Sequence, residues 1–180
     1  MESKIRILKG EDDRSTFSCG EIDLDYFFQR YAGQNQFRHY IGTTYIATDE
    51  KSVFGFVSVS AGTLLKRSLS SSAAKRYPNY PLPIMRITRI AVDEKYQNRG
   101  LGKYLIKSMF YLSLEQKEKF GCVGIVVDAK SDAILFYKKL GFIELEAEGG
   151  KLNVHPSQTA MFIGTKTVEK AVRHFEADLD

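Results

Sequence analysis

Cysteine is scarce: Cys19 and Cys122 are the only two in 180 residues. Their spacing fits neither a disulfide framework nor a metal site, so a reduced, cytoplasmic setting is expected. Apolar runs are short, and none approaches the ~20 residues that a membrane span requires. The opening Met1-Glu2-Ser3-Lys4-Ile5 lacks the apolar stretch of a secretory signal, so no targeting segment is expected. Histidine is limited to His39, His155 and His174. They stand in no recognisable constellation, each reads as a surface or packing residue, and no metal is expected. Internal repeats, low-complexity tracts and linkers are also missing. A single domain over residues 1–180 is the expectation, since this length leaves little room for two.

What is present is ordinary for a globular chain: 43% hydrophobic and 27% charged residues, with 12 Phe and 10 Tyr to fill a core. The charge is unevenly placed. Between Gly62 and Lys107 stand ten basic residues (Lys66, Arg67, Lys75, Arg76, Arg86, Arg89, Lys95, Arg99, Lys103 and Lys107) against Asp93 and Glu94 alone, a net +8. The rest of the chain carries 16 basic and 20 acidic residues, a net −4. That asymmetry favours an anionic ligand near the middle of the chain, although about half of these positions are ordinary solvated cations.

Hydrophobic periodicity places the elements. Ile5-Arg6-Ile7-Leu8 reads as an opening strand. Asp23 to Ala32 reads as a helix with Leu24, Phe27, Phe28 and Tyr31 on one face. Thr43 to Ala47 and Val53 to Val59 read as strands joined by a turn at Asp49-Glu50-Lys51-Ser52. Gly62 to Pro83, with its serine cluster and three of the four prolines, reads as a loop with one short helix around Ala73 to Tyr77. A strand is expected over Ile84–Val92 and a long helix from Gly100, with Leu101, Leu105, Met109 and Leu112 inward and Gly121 as its cap. Gly124–Asp128 reads as a buried strand. Ser131 or Asp132 is expected to cap a helix over Ala133–Leu140 that ends at Gly141. Strands around Phe142–Leu145 and Ala160–Ile163 precede an amphipathic tail with Val168, Val172 and Phe175. The order defines a mixed α/β domain.

Between the strand ending at Val92 and the long helix lies Gln97-Asn98-Arg99-Gly100-Leu101-Gly102. A turn of this kind grips phosphate for physical reasons. Glycine lets backbone approach a bulky anion, the first amides of a helix have no internal partner, and the helix dipole favours negative charge there. Arg99 and Lys103 add direct charge. A glycine pair alone marks only a tight turn. The dinucleotide fingerprint would need a small residue at Leu105, and no Walker lysine-hydroxyl pair follows a glycine loop.

Two blocks, 40 positions apart from Gln97 to Tyr137, resemble the GNAT superfamily of N-acetyltransferases. The first is Arg89-Ile90-Ala91-Val92-Asp93 leading into the turn, similar to the family's Q-x-x-G-x-G. The second is Ala133-Ile134-Leu135-Phe136-Tyr137-Lys138-Lys139-Leu140-Gly141-Phe142, similar to its late helix ending in Y-x-x-x-G-F. The resemblance implies a mostly antiparallel sheet flanked by helices, with splayed middle strands, and acetyl-coenzyme A as cofactor. It implies a cofactor site made of Ile90, Ala91, Val92, Gln97, Asn98, Arg99, Gly100, Leu101, Gly102 and Lys103. Amides of Arg99 to Lys103 would hold the pyrophosphate, and main-chain groups of Ile90 and Val92 would pair with the pantetheine arm like an added strand. The chain departs from many relatives at Lys130, where they carry Asn.

Acetyl transfer to an amine needs a neutral amine, a place for the developing oxyanion, and a proton for the departing thiolate. The resemblance assigns the last task to Tyr137, a phenol protonated at neutral pH. The alternative is a core tyrosine whose hydroxyl meets a backbone carbonyl. A strand amide near Val92 could face the oxyanion. No general base is evident: Glu94 and Asp128 are explained equally well by capping or ion pairing. Cys19 and Cys122 lack an activating neighbour and read as buried apolar residues. An α-amine, with its pKa of about 8, is better suited to a site without a base than lysine at about 10.4.

Looser segments over about residues 14–145 narrow the resemblance. Phe17-Ser18-Cys19-Gly20, Leu24-Asp25-Tyr26-Phe27, Gly55 to Ser60, Arg89 to Asp93 and Val127-Asp128-Ala129-Lys130 look like the GNAT toxins that acetylate aminoacyl-tRNA and are held by a small ribbon-helix-helix antitoxin. On that reading Lys66, Arg67, Lys75, Arg76 and Arg89 are substrate contacts. Arg86 and Arg89, three positions apart, would face opposite ways in a regular strand. The tail Val168–Phe175 is a candidate homodimer contact. Two other readings stand beside this one: an acetyltransferase for proteins or small amines, and a non-catalytic module that binds an acyl-coenzyme A or a partner protein.

Overall fold

In the computed structural model, described here for residues 4–145 and 158–177, seven strands form one sheet in the order β1-β2-β3-β4-β5-β7-β6. The strands are β1 (Lys4–Ile7), β2 (Thr43–Thr48), β3 (Val53–Leu64), β4 (Leu82–Val92), β5 (Gly124–Lys130), β6 (Ile143–Glu144) and β7 (Gln158–Gly164). The helices are α1 (Ile22–Tyr26), α2 (Ala32–Phe37), α3 (Ser71–Ala74), α4 (Leu101–Phe120), α5 (Ile134–Lys139) and α6 (Thr165–Ala177). The chain divides into two compact units, Met1–Ser60 with Ile87–Met109 and Ala61–Arg86 with Phe110–Asp180. Strands β3 and β4 and helix α4 each contribute residues to both.

In the first unit, β1, β2 and β3 pair antiparallel, with Ile46 opposite Phe56 and a register shift at Ala47/Thr48. The Asp49 carboxylate accepts the amides of Lys51 (2.9 Å) and Ser52 (2.8 Å), so the hairpin turn lies where Asp-Glu-Lys-Ser predicts it. Arg6 of β1 clamps this corner with paired hydrogen bonds to Asp12 (2.9 and 2.7 Å) and to Glu50 (3.2 and 2.9 Å). The core is aromatic: Phe28 stacks on Phe56 at 4.3 Å, Phe17 meets Phe28 edge-on at 4.8 Å, and Leu8, Ala32, Ile46 and Ala91 close around them.

The helix expected over Asp23–Ala32 is longer and interrupted. Between α1 and α2 the residues Phe27–Tyr31 form one π-turn, in which the Ala32 amide donates to the Phe27 carbonyl. The wider turn advances the phase, so Phe27, Phe28 and Ala32 point inward while Tyr31 lies on the surface, contrary to the one-face expectation.

In the second unit, β5 pairs antiparallel with β7 from Gly124↔Gly164 to Lys130↔Gln158, and β6 flanks β7. Leu64, Leu69, Leu82, Ile84, Val126 and Phe162 form a core. Strand β3 runs to Leu64, past the expected loop start at Gly62. A Cβ on Gly62 would lie 2.9 Å from the Ile84 side chain, which explains a small residue in that strand. The short helix α3 precedes its expected place, and a 3-10 turn covers Lys66–Ser68. Helix α5 starts from Ala133 with no side-chain cap, so neither Ser131 nor Asp132 has that role. Val168 and Val172 of α6 are buried and Phe175 lies 6.4 Å from Phe110, so these apolar residues of the tail pack within their own unit. His155 lies outside the described residues. Among those described, no helix is long and apolar enough to cross a membrane.

Candidate active site

The turn that leads into α4 belongs to the first unit. Asp93 follows β4, is buried, and caps the 3-10 turn Glu94–Tyr96: its carboxylate accepts the Lys95 amide at 3.0 Å and the Ser18 amide at 3.3 Å. Asn98 and Gly100 then take left-handed backbone conformations, φ 59° and 81°. Asparagine tolerates that region and glycine adopts it freely. The Gly100 carbonyl accepts the Tyr104 amide at 3.0 Å and opens a helix of 20 residues. Leu105, Ile106 and Met109 anchor that helix inward.

The N-terminal end of α4 is uncovered. Gln97, Asn98, Arg99, Gly100 and Lys103 are exposed, and nothing lies within 4 Å of a Cβ built on Gly100. Unpaired helix amides, a favourable dipole and two cations therefore face open space, which fits a pyrophosphate. Arg99 sits 5.8 Å from the Tyr96 ring.

Gln97 has a role that the pattern alone does not reveal. Its side-chain amide donates to the carbonyls of Cys19 and Val92, both at 3.0 Å, tying the Phe17–Gly20 loop to the end of β4. The glutamine therefore shapes the turn through backbone carbonyls. The signal was its fixed distance ahead of the glycines, which does not distinguish a ligand contact from a clamp. Ile90 and Val92 are half-buried and Ala91 is buried, with the Val92 carbonyl engaged by Gln97. Arg89 lays its guanidinium 4.0 Å over the Phe27 ring, and burial lowers its pKa.

Tyr137 stands in α5 of the second unit and is 4% exposed. The Y-x-x-x-G-F pattern is a helix stop. The Gly141 amide donates to the Lys138 carbonyl at 3.0 Å and the Phe142 amide to the Tyr137 carbonyl at 3.1 Å, with Gly141 left-handed at φ 95°. This is the Schellman arrangement, and its usual apolar contact is the pair of rings Tyr137 and Phe142, 5.3 Å apart and 70° inclined. The ring thus has a structural task. Among the described residues no hydrogen bond to its hydroxyl is formed. Burial pushes the phenol up to about 12, so it stays protonated well beyond neutral pH.

Also in the second unit, Lys66, Arg67, Lys75 and Arg76 lie on the segment between β3 and β4. Arg86 bonds Asp128 at 2.8 Å, which removes Asp128 as a spare base. Arg86 and Arg89 engage different partners, as their separation predicts. His39 and His174 are exposed. Burial pushes the Cys19 thiol up to about 12, unsuited to a nucleophile, and Cys122 is buried with its thiol donating to the Gly124 carbonyl. Among the described residues no cluster of His, Cys, Asp or Glu could hold a metal ion.

A strand, a left-handed glycine turn, a long helix and a late helix closed by Tyr-x-x-x-Gly-Phe define the class, and the Acetyltransferase (GNAT) domain matches residues 41–144. The chain belongs to the GNAT family and is an acyl-coenzyme A N-acetyltransferase with acetyl-coenzyme A as its cofactor. Its relatives are specific in kind. A tRNA-acetylating toxin of Mycobacterium tuberculosis is 29% identical over 140 residues, covering 76% of this chain and 82% of that protein. The structure of AtaT complexed with acetyl-methionyl-tRNAfMet superposes with a TM-score of 0.80 at 28% identity, over 94% of this chain and 98% of the other. A tyrosine-to-phenylalanine mutant of the AtaT toxin, bound to the C-terminus of the antitoxin AtaR and acetyl-CoA, gives a TM-score of 0.73 at 25% identity over 93% and 96%.

Proposed function

We propose that this acetyltransferase acts on the α-amine of aminoacyl-tRNA and is a toxin that halts translation. The carrying observation is the segment Ala61–Arg86: five cations and not one carboxylate, on a chain whose remaining charge is nearly balanced. A polyanionic acceptor suits such a surface, and the tRNA-acetylating relative supports the same reading. The site also offers no evident general base, and an α-amine at pKa about 8 needs less help at neutral pH than lysine at about 10.4.

Acetyl-coenzyme A supplies the activated acetyl group. Amides and cations of Arg99 to Lys103 would hold its pyrophosphate, with Asn98 and Gly100 giving the turn its shape and Gln97 keeping that turn against β4. The strand residues Ile90, Ala91 and Val92 would offer backbone hydrogen bonds to the pantetheine arm, and an amide near Val92 would serve the oxyanion. Tyr137 would give its phenolic proton to the departing thiolate. The acetylated amine would release one proton to solvent and the phenolate would recover one, so the transfer balances. Arg89, Lys66, Arg67, Lys75 and Arg76 orient the tRNA. Such a toxin works in the cytoplasm, where charged tRNA is found, and its partner is a small ribbon-helix-helix antitoxin.

The test combines purified protein, labelled acetyl-coenzyme A and a pool of aminoacyl-tRNAs. Label is expected on charged tRNA and not on uncharged tRNA. Robust labelling of a peptide or small amine with none on tRNA would overturn the substrate and leave the acetyltransferase standing.

A further inference from the structure

In the second unit, the segment between β3 and β4 encloses a hollow of about 210 Å³, lined among the described residues by Leu65, Lys66, Arg67, Asn79, Tyr80 and Pro81. We propose that this hollow receives one unpaired nucleotide of an RNA single strand, its base stacked on Tyr80 and its phosphates held by Lys66 and Arg67. The proposal rests on the tRNA reading above and adds to it a site for the unpaired 3′ end that carries the amino acid.

Size decides first. The hollow is open to solvent and of a size to seat one ring system. Chemistry decides next. Tyr80 is 62% exposed although it is a large aromatic residue, and its ring is a stacking platform of the kind that single-strand binders use. Pro78 and Pro81 bracket Asn79-Tyr80 and restrict the backbone that carries the ring. Asn79 brings a donor and an acceptor together, the pair that a base edge needs. Leu65 and Pro81 supply the apolar part of the lining. Among the described residues no carboxylate lines the hollow, and Lys75 and Arg76 extend the cationic strip along the same segment. A duplex keeps its base faces stacked on one another and has no ring to offer, so the occupant is single-stranded.

The test uses a fluorescently labelled RNA hairpin with a short single-stranded 3′ overhang, and the same hairpin with a blunt end, titrated against the full chain. Wild type is expected to prefer the overhang by about tenfold, the scale of one stacked base. Tyr80→Ala should abolish that preference while leaving blunt-hairpin affinity unchanged, Tyr80→Phe should keep it, and Asn79→Ala should weaken it. Lys66→Ala with Arg67→Ala should weaken both hairpins and flatten the salt dependence. Acetyl-coenzyme A should raise the melting temperature of every variant equally, which reports an intact fold. No overhang preference in wild type, or an undiminished one in Tyr80→Ala, overturns the site. Loss of acetyl-coenzyme A binding in Tyr80→Ala also overturns it, since the hollow would then belong to the cofactor. If the Tyr80-dependent preference is found while no aminoacyl-tRNA is acetylated, the nucleotide site stands and the substrate assignment falls.

Discussion

Replacing Tyr137 by Phe keeps the ring that closes the cap of α5 on Phe142 and removes only the hydroxyl. Cofactor affinity and melting temperature at pH 7 should therefore be retained, while turnover falls by about 10²-fold, the scale of losing a positioned acid. A raised phenol pKa also leaves a signature in stability. The folded value of about 12 lies above an unfolded value near 10, so the protonated form is the one the fold favours. Its contribution is complete below pH 10 and is lost as pH rises from 10 to about 12. Urea melts across that window should show wild type losing stability more steeply than Tyr137→Phe, with the Cys19 thiol contributing equally to both. At the turn, Gly100→Glu combines a strained left-handed glutamate with a negative charge at the phosphate position, and Gly102→Glu adds that charge one step into the helix. Saturating acetyl-coenzyme A at about a hundred times Kd stabilises wild type by about 2.7 kcal/mol, or roughly 5–10 °C. Either variant should lose that shift, and an undiminished shift in both would remove the proposed cofactor site.

Two cations of β1 meet at the corner with the β2–β3 hairpin. Arg6 bonds Asp12 and Glu50, and Lys4 also pairs with Glu50. Arg6 first and Lys4 second hold the Glu50 carboxyl down to about 2, and Arg6 lowers that of Asp12. For carboxylates depressed in the fold, the stabilisation is full above their unfolded values near 4 and is lost as pH falls toward 2. Arg6→Leu should therefore unfold at higher pH than wild type, with the gap opening between pH 4 and 2, measured by circular dichroism on acid titration. Elements such as this hairpin, the long helix and the α5 stop were legible from sequence because each carries its own local signal: an Asp that turns, glycine that ends a helix, apolar residues at the period of the element. The π-turn at Phe27–Tyr31 was hidden because one extra residue in a turn shifts phase without changing composition. The end of β3 was hidden because Ala61 and Gly62 are weak strand formers, and Gly62 is there for close packing on Ile84. The same limit applied to the site. Glycines and their spacing marked the left-handed turn ahead of α4, and the helix stop at Tyr137 was marked by its motif. The clamp made by Gln97 and the hollow at Tyr80 depend on chain segments that only the fold brings together.

On the scale of the whole molecule, charge tests the two proposed ligands. The turn proposed for acetyl-coenzyme A presents Arg99 and Lys103, while Lys66, Arg67, Lys75 and Arg76 lie on the segment ahead of β4. Changing those four residues to Ala removes four positive charges without touching Gly100, Tyr137 or the Schellman stop. Three of the four are exposed and Lys66 is half-buried, so the fold should tolerate the change. Binding of a polyanion releases counterions in proportion to the phosphates neutralised, so log affinity falls linearly with log salt. If the four cations pair with tRNA phosphates, the variant should bind tRNA more weakly at low salt. Its slope should be shallower by up to about 3, at roughly 0.7 to 0.9 for each phosphate no longer neutralised. Induction of the wild-type chain should arrest growth, and the variant should arrest it less, with its acetyl-coenzyme A melting shift intact. A small amine offered in place of tRNA would respond differently: a single charge gives almost no salt slope, and the variant would turn it over as fast as wild type. An unchanged tRNA slope in the variant, measured beside an intact cofactor shift, would show that the basic segment is only a solvated surface.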